Sequence, residues 1–360
     1  MTAQPSQAGA TPVPTADDPA TPARRRRMLR LALGTTLSFT TAEMLGWELS
    51  FVITSFLVQL LTSSPRGLGL WQGTAVIAVL GLATGAAATL SGLLVGMPAL
   101  FALALGLVLF LAFALQQRGR GRALGTMILV AFGLLPVIAV QAPELVPVVA
   151  FYLVRSGAVA VLWVWLLHAL LPDLETAPAR APAPGDADPP PGEVARTALV
   201  DTAVLLPVLL FAMTFEVPAA LVIILTVTAV LSQRNIAGGR RVALGLLLAN
   251  LMGGITAVVA YQLLTAVPTP GFLAALLLFI SLVYARLIVD AGPLAPVFTT
   301  ALVTFVLVFG MGVAPFLDEP EASLTLRLRN LAVACAYAFA ALSLIGRDAQ
   351  RPVGGETGSG

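Results

Sequence analysis

Long apolar runs, broken by short clusters of proline, glycine and charge, set the pattern of this chain. Six runs precede residue 172: Leu31–Leu45, Leu49–Leu61, Trp71–Val95, Ala99–Leu115, Ala123–Val140 and Val146–Leu171. Six more follow residue 196: Thr197–Phe215, Ala219–Leu231, Val242–Leu264, Phe272–Ala285, Ala295–Val313 and Leu324–Ile345. Such runs read as helices that cross a bilayer, which takes roughly 20 residues. Leu49–Leu61 and Ala219–Leu231 fall short of that and hold the same place in their sets. Each is either re-entrant or a span that borrows polar flanks, and broken or shortened helices often mark a transport site.

The stretch 172–196 between the two sets is rich in proline and carries Asp173, Glu175, Arg180, Asp186, Asp188, Glu193 and Arg196. It has too little apolar surface to offset the entropy of ordering, and reads as a solvated linker. Residues 1–27 read as a disordered tail ending in Arg24–Arg27, and 347–360 as a C-terminal tail. The membrane parts are then 28–171 and 197–346, two six-helix repeats. They echo each other at one constant offset: Glu48 with Glu216, Arg66 with Arg234, Gly85 with Gly253, Arg118 with Arg286. Near the end of each set the register slips, and Arg155-Ser156-Gly157-Ala158-Val159-Ala160 answers Arg329-Asn330-Leu331-Ala332-Val333-Ala334. Duplication accounts for both observations.

Composition turns a helical pattern into a membrane one. The chain is 58% hydrophobic and 11% charged over 360 residues, against roughly 25% charge in soluble domains. The expected fold class is an all-α polytopic membrane protein of about twelve spans, with the lipid bilayer as its solvent. A net charge of +2 gives no bulk attraction for nucleic acid. Cys335 and His168 are the only residues of their kinds, so no disulfide framework or Cys/His metal cluster is expected. No phosphate-binding glycine loop is visible. A secretory signal peptide competes for Arg24–Leu45, but the chain lacks a clear cleavage site there and the apolar runs continue.

Arginines set the expected orientation. All 20 basic residues are arginines, and twelve spans with the N-terminus inside put every one on the cytoplasmic side except Arg155, Arg327 and Arg329. Glu48, Glu144, Glu216, Asp318, Glu319 and Glu321 fall outside. This obeys the positive-inside rule, and an even count per set makes the repeats parallel. Gly81-x-x-x-Gly85, Gly92-x-x-x-Gly96 and Gly253-Gly254 are expected to let helices approach closely.

Ionisable groups inside a bilayer are costly, and are functional or paired. Arg155 is well inside its apolar run, and Arg329 matches it in the second repeat. The pair reads as a carboxylate-binding site, since guanidinium meets carboxylate in bidentate geometry, as structural ion pairs with acids such as Glu48 or Glu216, or as interface anchors. Glu43 in the first helix and Asp201 in the seventh are candidate proton carriers. For Asp201 the alternative is a helix N-terminal acid favoured by the dipole; for Glu43 it is a buried partner of an arginine. Asn250, Tyr261 and Thr304 either line a polar path or bond neighbouring helices. Trp163, Trp165 and His168 close the sixth helix at the membrane interface.

Several stretches resemble a known family. They are Thr202-Ala203-Val204-Leu205-Leu206-Pro207, Ala249-Asn250-Leu251-Met252-Gly253-Gly254-Ile255-Thr256-Ala257, Tyr261-Gln262-Leu263-Leu264, Pro268, Thr300-Ala301-Leu302-Val303-Thr304-Phe305, the Arg329 helix and Tyr337. In the first repeat they are Arg30-Leu31-Ala32-Leu33-Gly34-Thr35-Thr36 and Leu45-Gly46-Trp47. Together they look like the DUF2955 membrane proteins, grouped with the fusaric-acid-resistance-like (FUSC) aromatic acid exporters. The resemblance implies a bacterial inner-membrane protein of two six-helix halves, and the arginine count puts both termini in the cytoplasm. It implies export of small organic, often aromatic, acids, and a periplasmic membrane-fusion adaptor as partner. The better-known exporters carry a large soluble domain where this chain has its linker.

The leading expectation is therefore a proton-driven secondary exporter of organic acids with no cofactor, in which a homo-oligomer stays open. The alternatives are a membrane scaffold or partner subunit of an efflux system, and an enzyme acting on lipid-linked substrates.

Overall fold

The computed structural model describes residues 20–64, 67–118, 122–172, 190–214 and 239–313. Among them the structure is helical, with no strand: α1 (Ala20–Met44), α2 (Ser50–Ser63), α3 (Leu70–Leu94), α4 (Pro98–Gln117), α5 (Arg122–Gln141), α6 (Val146–Leu170), α7 (Pro191–Thr214), α8 (Gly239–Ala266), α9 (Pro270–Asp290) and α10 (Ala295–Val313). Short 3-10 turns, Pro143–Leu145 and Gly292–Leu294, lead into α6 and α10. The expected segments Ala219–Leu231 and Leu324–Ile345, with Arg234, Arg329 and Cys335, lie outside the described residues.

Eight of these helices, α3 to α10, are long and apolar enough to cross a membrane. α2 is a 14-residue helix, about 21 Å by the usual rise, against a hydrocarbon core of about 30 Å. The expected shortness of this segment is thus present.

Two helices begin earlier than the apolar pattern predicts. α1 starts at Ala20 and carries Arg24–Arg27 within it, so the basic end of the expected tail is helical. Arginine is a good helix former, and hydropathy alone does not register it. α7 starts at Pro191, inside the expected linker. Proline suits the first helical position because its missing N–H has no intrahelical partner there.

Close contacts fix the helix directions. Arg30 on α1 meets His168 on α6, Ser38 on α1 meets Thr54 on α2, and Leu80 on α3 meets Gly157 on α6. α1, α3 and α5 therefore run one way, and α2, α4 and α6 the other. α8 and α10 run parallel, since Gly245 faces Val297, Asn250 bonds Thr304, and Gly312 faces Tyr261. The C-terminus of α9 returns to the start of α1, where Asp290 pairs with Arg24.

As a result, the arginines near helix ends (24 to 30, 118, 122, 196, 240, 241 and 286) gather at one end, called the basic end here. Glu43, Glu48 and Glu144 lie at the opposite end.

The core centres on α2, wrapped by α1, α6 and α10. Phe39, Ile53, Leu57, Phe305 and Phe309 are fully enclosed there. The rings of Phe39 and Phe309 sit 5.8 Å apart, and those of Phe305 and Phe309 5.4 Å apart. α3 and α4 instead turn Leu82, Leu93, Leu103 and Leu107 outward, as lipid-facing helices do.

The glycine expectation divides. At Gly253 an added Cβ would run into the Ala301 carbonyl oxygen, so α8 and α10 touch backbone to backbone. Gly81, Gly85, Gly92 and Gly96 have open space around them and make no such seam within the chain. Spacing reveals a small-residue face, not which helix covers it.

Candidate functional site

The site begins with how α1 ends. Trp47 N–H bonds the Ala42 carbonyl at 2.8 Å and Gly46 N–H bonds that of Glu43 at 3.0 Å. Gly46 has φ +63°, so this is a Schellman cap with glycine at its left-handed position. Leu49, which opens α2, also has a positive φ, +58°. A branched residue there carries about 1–2 kcal/mol of strain, of the kind that surrounding structure retains at functional sites. The tight connection delivers Trp47 and Glu48 to the first turns of α6.

There Arg155 waits, the tenth residue of α6. Its Nη2 donates to the Glu48 backbone carbonyl at 3.1 Å. Its guanidinium carbon lies 4.6 Å from the Tyr152 ring centre, 5.1 Å from Trp47 and 6.0 Å from Phe151. Tyr152 also lies beside the Glu48 carboxylate. Arg155 Nε and Glu48 Oε2 are both buried without a hydrogen-bond partner. Glu48 thus meets Arg155 through its backbone carbonyl and not as an ion pair, with three rings around the guanidinium; the other acid named as a partner, Glu216, lies outside the described residues. Cation–π contacts are each worth about 0.5–2 kcal/mol and leave in-plane N–H groups available to an anion.

Glu43 lies at the same end, half-buried in the last turn of α1, and accepts a hydrogen bond from Ser50 Oγ. One turn deeper, Ser38 and Thr54 hydroxyls bond across α1 and α2 at 3.0 Å. Glu43 is therefore tied to α2, and among the described residues no arginine pairs with it.

Asp201 sits elsewhere, between α4 and α7 toward the basic end. It is 1% exposed, and Gln117 Nε2 donates to its Oδ2 at 3.4 Å. Because α7 starts at Pro191, Asp201 is about 15 Å into the helix. It is not the helix-starting acid that the apolar pattern allowed.

Asn250 and Thr304 are buried against each other, with the Thr304 hydroxyl donating to Asn250 Oδ1 at 2.7 Å. That bond clasps α8 to α10 beside Gly253. Tyr261 lays its ring against Gly312, also across α8 and α10. These three residues hold helices together in this state, and the structure does not gather them around Arg155. Arg329 lies outside the described residues.

Trp47, Phe151 and Tyr152 went unremarked as partners of Arg155 in the sequence. Aromatic residues three and four positions before an intramembrane arginine share its helix face, so that part was legible. Trp47 was not, because only the turn brings it in. Among the described residues, no group of three His, Cys, Asp or Glu side chains could hold a metal ion.

A polytopic, all-helical membrane protein with a ring-flanked arginine inside it is the class that fold and site define. The family DUF2955, described as a protein of unknown function, matches residues 27–167, from α1 almost to the end of α6 and across the whole Arg155 site. No curated protein and no solved structure matches the chain.

Proposed function

We propose that the chain is a proton-driven secondary transporter exporting small organic acids, aromatic ones among them, across the bacterial inner membrane. The observation that carries this reading is Arg155, a guanidinium inside an apolar bundle with rings on its faces and a buried N–H left over. That arrangement suits a carboxylate on a flat apolar body, which the fork of N–H donors can grip while the rings pack on the rest. In this reading Glu43 and Asp201 take the coupling proton, and Arg329 is the counterpart of Arg155. Membership of the FUSC-like exporter superfamily and a periplasmic adaptor partner belong to the same proposal.

So do twelve spans in two parallel six-helix repeats. Reciprocal packing supports them: α1 lies on α9 as α7 lies on α4, and α3 lies on α5 as α8 lies on α10. Under the repeat, α7, α8, α9 and α10 answer α1, α3, α4 and α5. α7 ends at the end opposite to the one where α8 begins, which favours an even number of spans in each repeat. The positive-inside rule then assigns the basic end, and both termini, to the cytoplasm.

The test is uptake of radiolabelled benzoate by vesicles holding the purified chain under an imposed pH gradient. Gradient-dependent accumulation that vanishes in Arg155→Gln is the expected result. Failure of the native chain to move any member of a panel of aromatic and aliphatic carboxylates contradicts the proposal.

A further inference from the structure

The basic end of α6 holds the chain's only histidine in a state that its neighbours dictate. His168 Nδ1 lies 2.8 Å from the Val164 carbonyl oxygen, which can only accept, so the ring proton is on Nδ1. Nε2 lies 2.8 Å from Arg30 Nη1, which can only donate, so Nε2 must present its lone pair. The two contacts together require a neutral imidazole of one tautomer. Arg30 is 3% exposed and also donates from Nη2 to the Leu171 carbonyl at 2.5 Å. One turn earlier Arg26 donates to the Pro172 carbonyl at 2.9 Å.

The ring is half-buried, so water reaches it. Gly67 lies over it at φ +82°, where an added Cβ would come within 2.8 Å of the ring. Leu68 next to it accepts from Trp165 Nε1 at 3.0 Å. The connection between α2 and α3 thus rests on the same turn of α6 that anchors α1.

The charges around the ring are one-sided. α1 contributes Arg24, Arg26, Arg27 and Arg30, while α2 and α3 contribute no titratable side chain. At the same end Asp290 of α9 is paired with Arg24.

We infer that His168 is a proton-operated latch: its neutral ring clamps Arg30, and with it the basic first turns of α1, onto the end of α6. A proton from water adds to the Nε2 lone pair. The Arg30 N–H···Nε2 bond then has no acceptor, two cationic donors face each other, and α1 is released from that anchor. The device concerns the basic end only and does not depend on what, if anything, the chain transports.

The test uses the full chain in lipid nanodiscs, with Cys335→Ala and a spin label on Arg25→Cys, an exposed position of α1. Lowering the pH from about 8 to about 5, the range in which histidine changes charge, should raise the ratio of mobile to immobile label about tenfold, the factor for one charge-assisted hydrogen bond. His168→Gln keeps an acceptor for Arg30 and does not titrate, so its ratio should stay flat. A flat native profile, or the same rise in His168→Gln, overturns the inference. Should that variant not fold, nitrogen NMR of the labelled single histidine decides: a bare Nε2 at about pH 8 is required, and a protonated one overturns it.

Discussion

Two arginines bracket α6, and they are satisfied in different ways. At the basic end Arg30 gives its terminal nitrogens to an imidazole and a carbonyl, which is how a buried cation is held in place. At the other end Arg155 has a single recorded hydrogen bond, to the Glu48 carbonyl, and rings where further acceptors would be expected. Its Nε and the Glu48 Oε2 atom stay buried and unmatched. Arg30 Nε is likewise buried without a hydrogen-bond partner, so the difference lies in the terminal nitrogens. Those of Arg30 are both bonded, whereas Arg155 has one such bond and ring faces around it, which is the observation behind the proposed carboxylate site.

This comparison can be broken at several points. The largest expected effect is on stability at the basic end. Arg30→Leu leaves the Leu171 carbonyl and His168 without their donor, and should lower the unfolding free energy in detergent by about 2–4 kcal/mol. Smaller, and separable, are the two glycines that turn the chain at either end. Gly67→Ala meets both a left-handed φ and the His168 ring, so about 2 kcal/mol or more is expected in the same assay. Gly46→Ala has the left-handed φ and open space, and should cost about 1 kcal/mol. Equal losses at the two glycines would show that the ring contact carries nothing. The smallest effect on stability belongs to Arg155→Gln, about 1 kcal/mol or less. A loss matching that of Arg30→Leu would make Arg155 another structural anchor.

Much of this could be read from the sequence. Apolar runs gave the helices, the place of Arg155 within one, and the shortness of α2. Other features escaped because they depend on what hydropathy ignores. Arginines continued α1 toward its start, and Pro191 opened α7 early, which moved Asp201 deep into a helix. Asn250 and Thr304 could equally have lined a path or clasped helices, and only their mutual bond at 2.7 Å decides for the clasp in this state. The pairing of Gly85 with Gly253 was legible, yet one faces open space and the other a backbone. Matched positions in a duplicated sequence need not have matched surroundings. Trp47 reached Arg155 through a Schellman cap, a tertiary event that no helix periodicity announces.

The central claim is that Arg155 is held for a carboxylate. It is tested most directly by equilibrium binding of radiolabelled benzoate to the purified chain in nanodiscs, native against Arg155→Gln, with thermal unfolding followed in parallel. The account predicts saturable binding that weakens about tenfold or more in the variant, with unfolding nearly unchanged. Equal binding by the two proteins would contradict it.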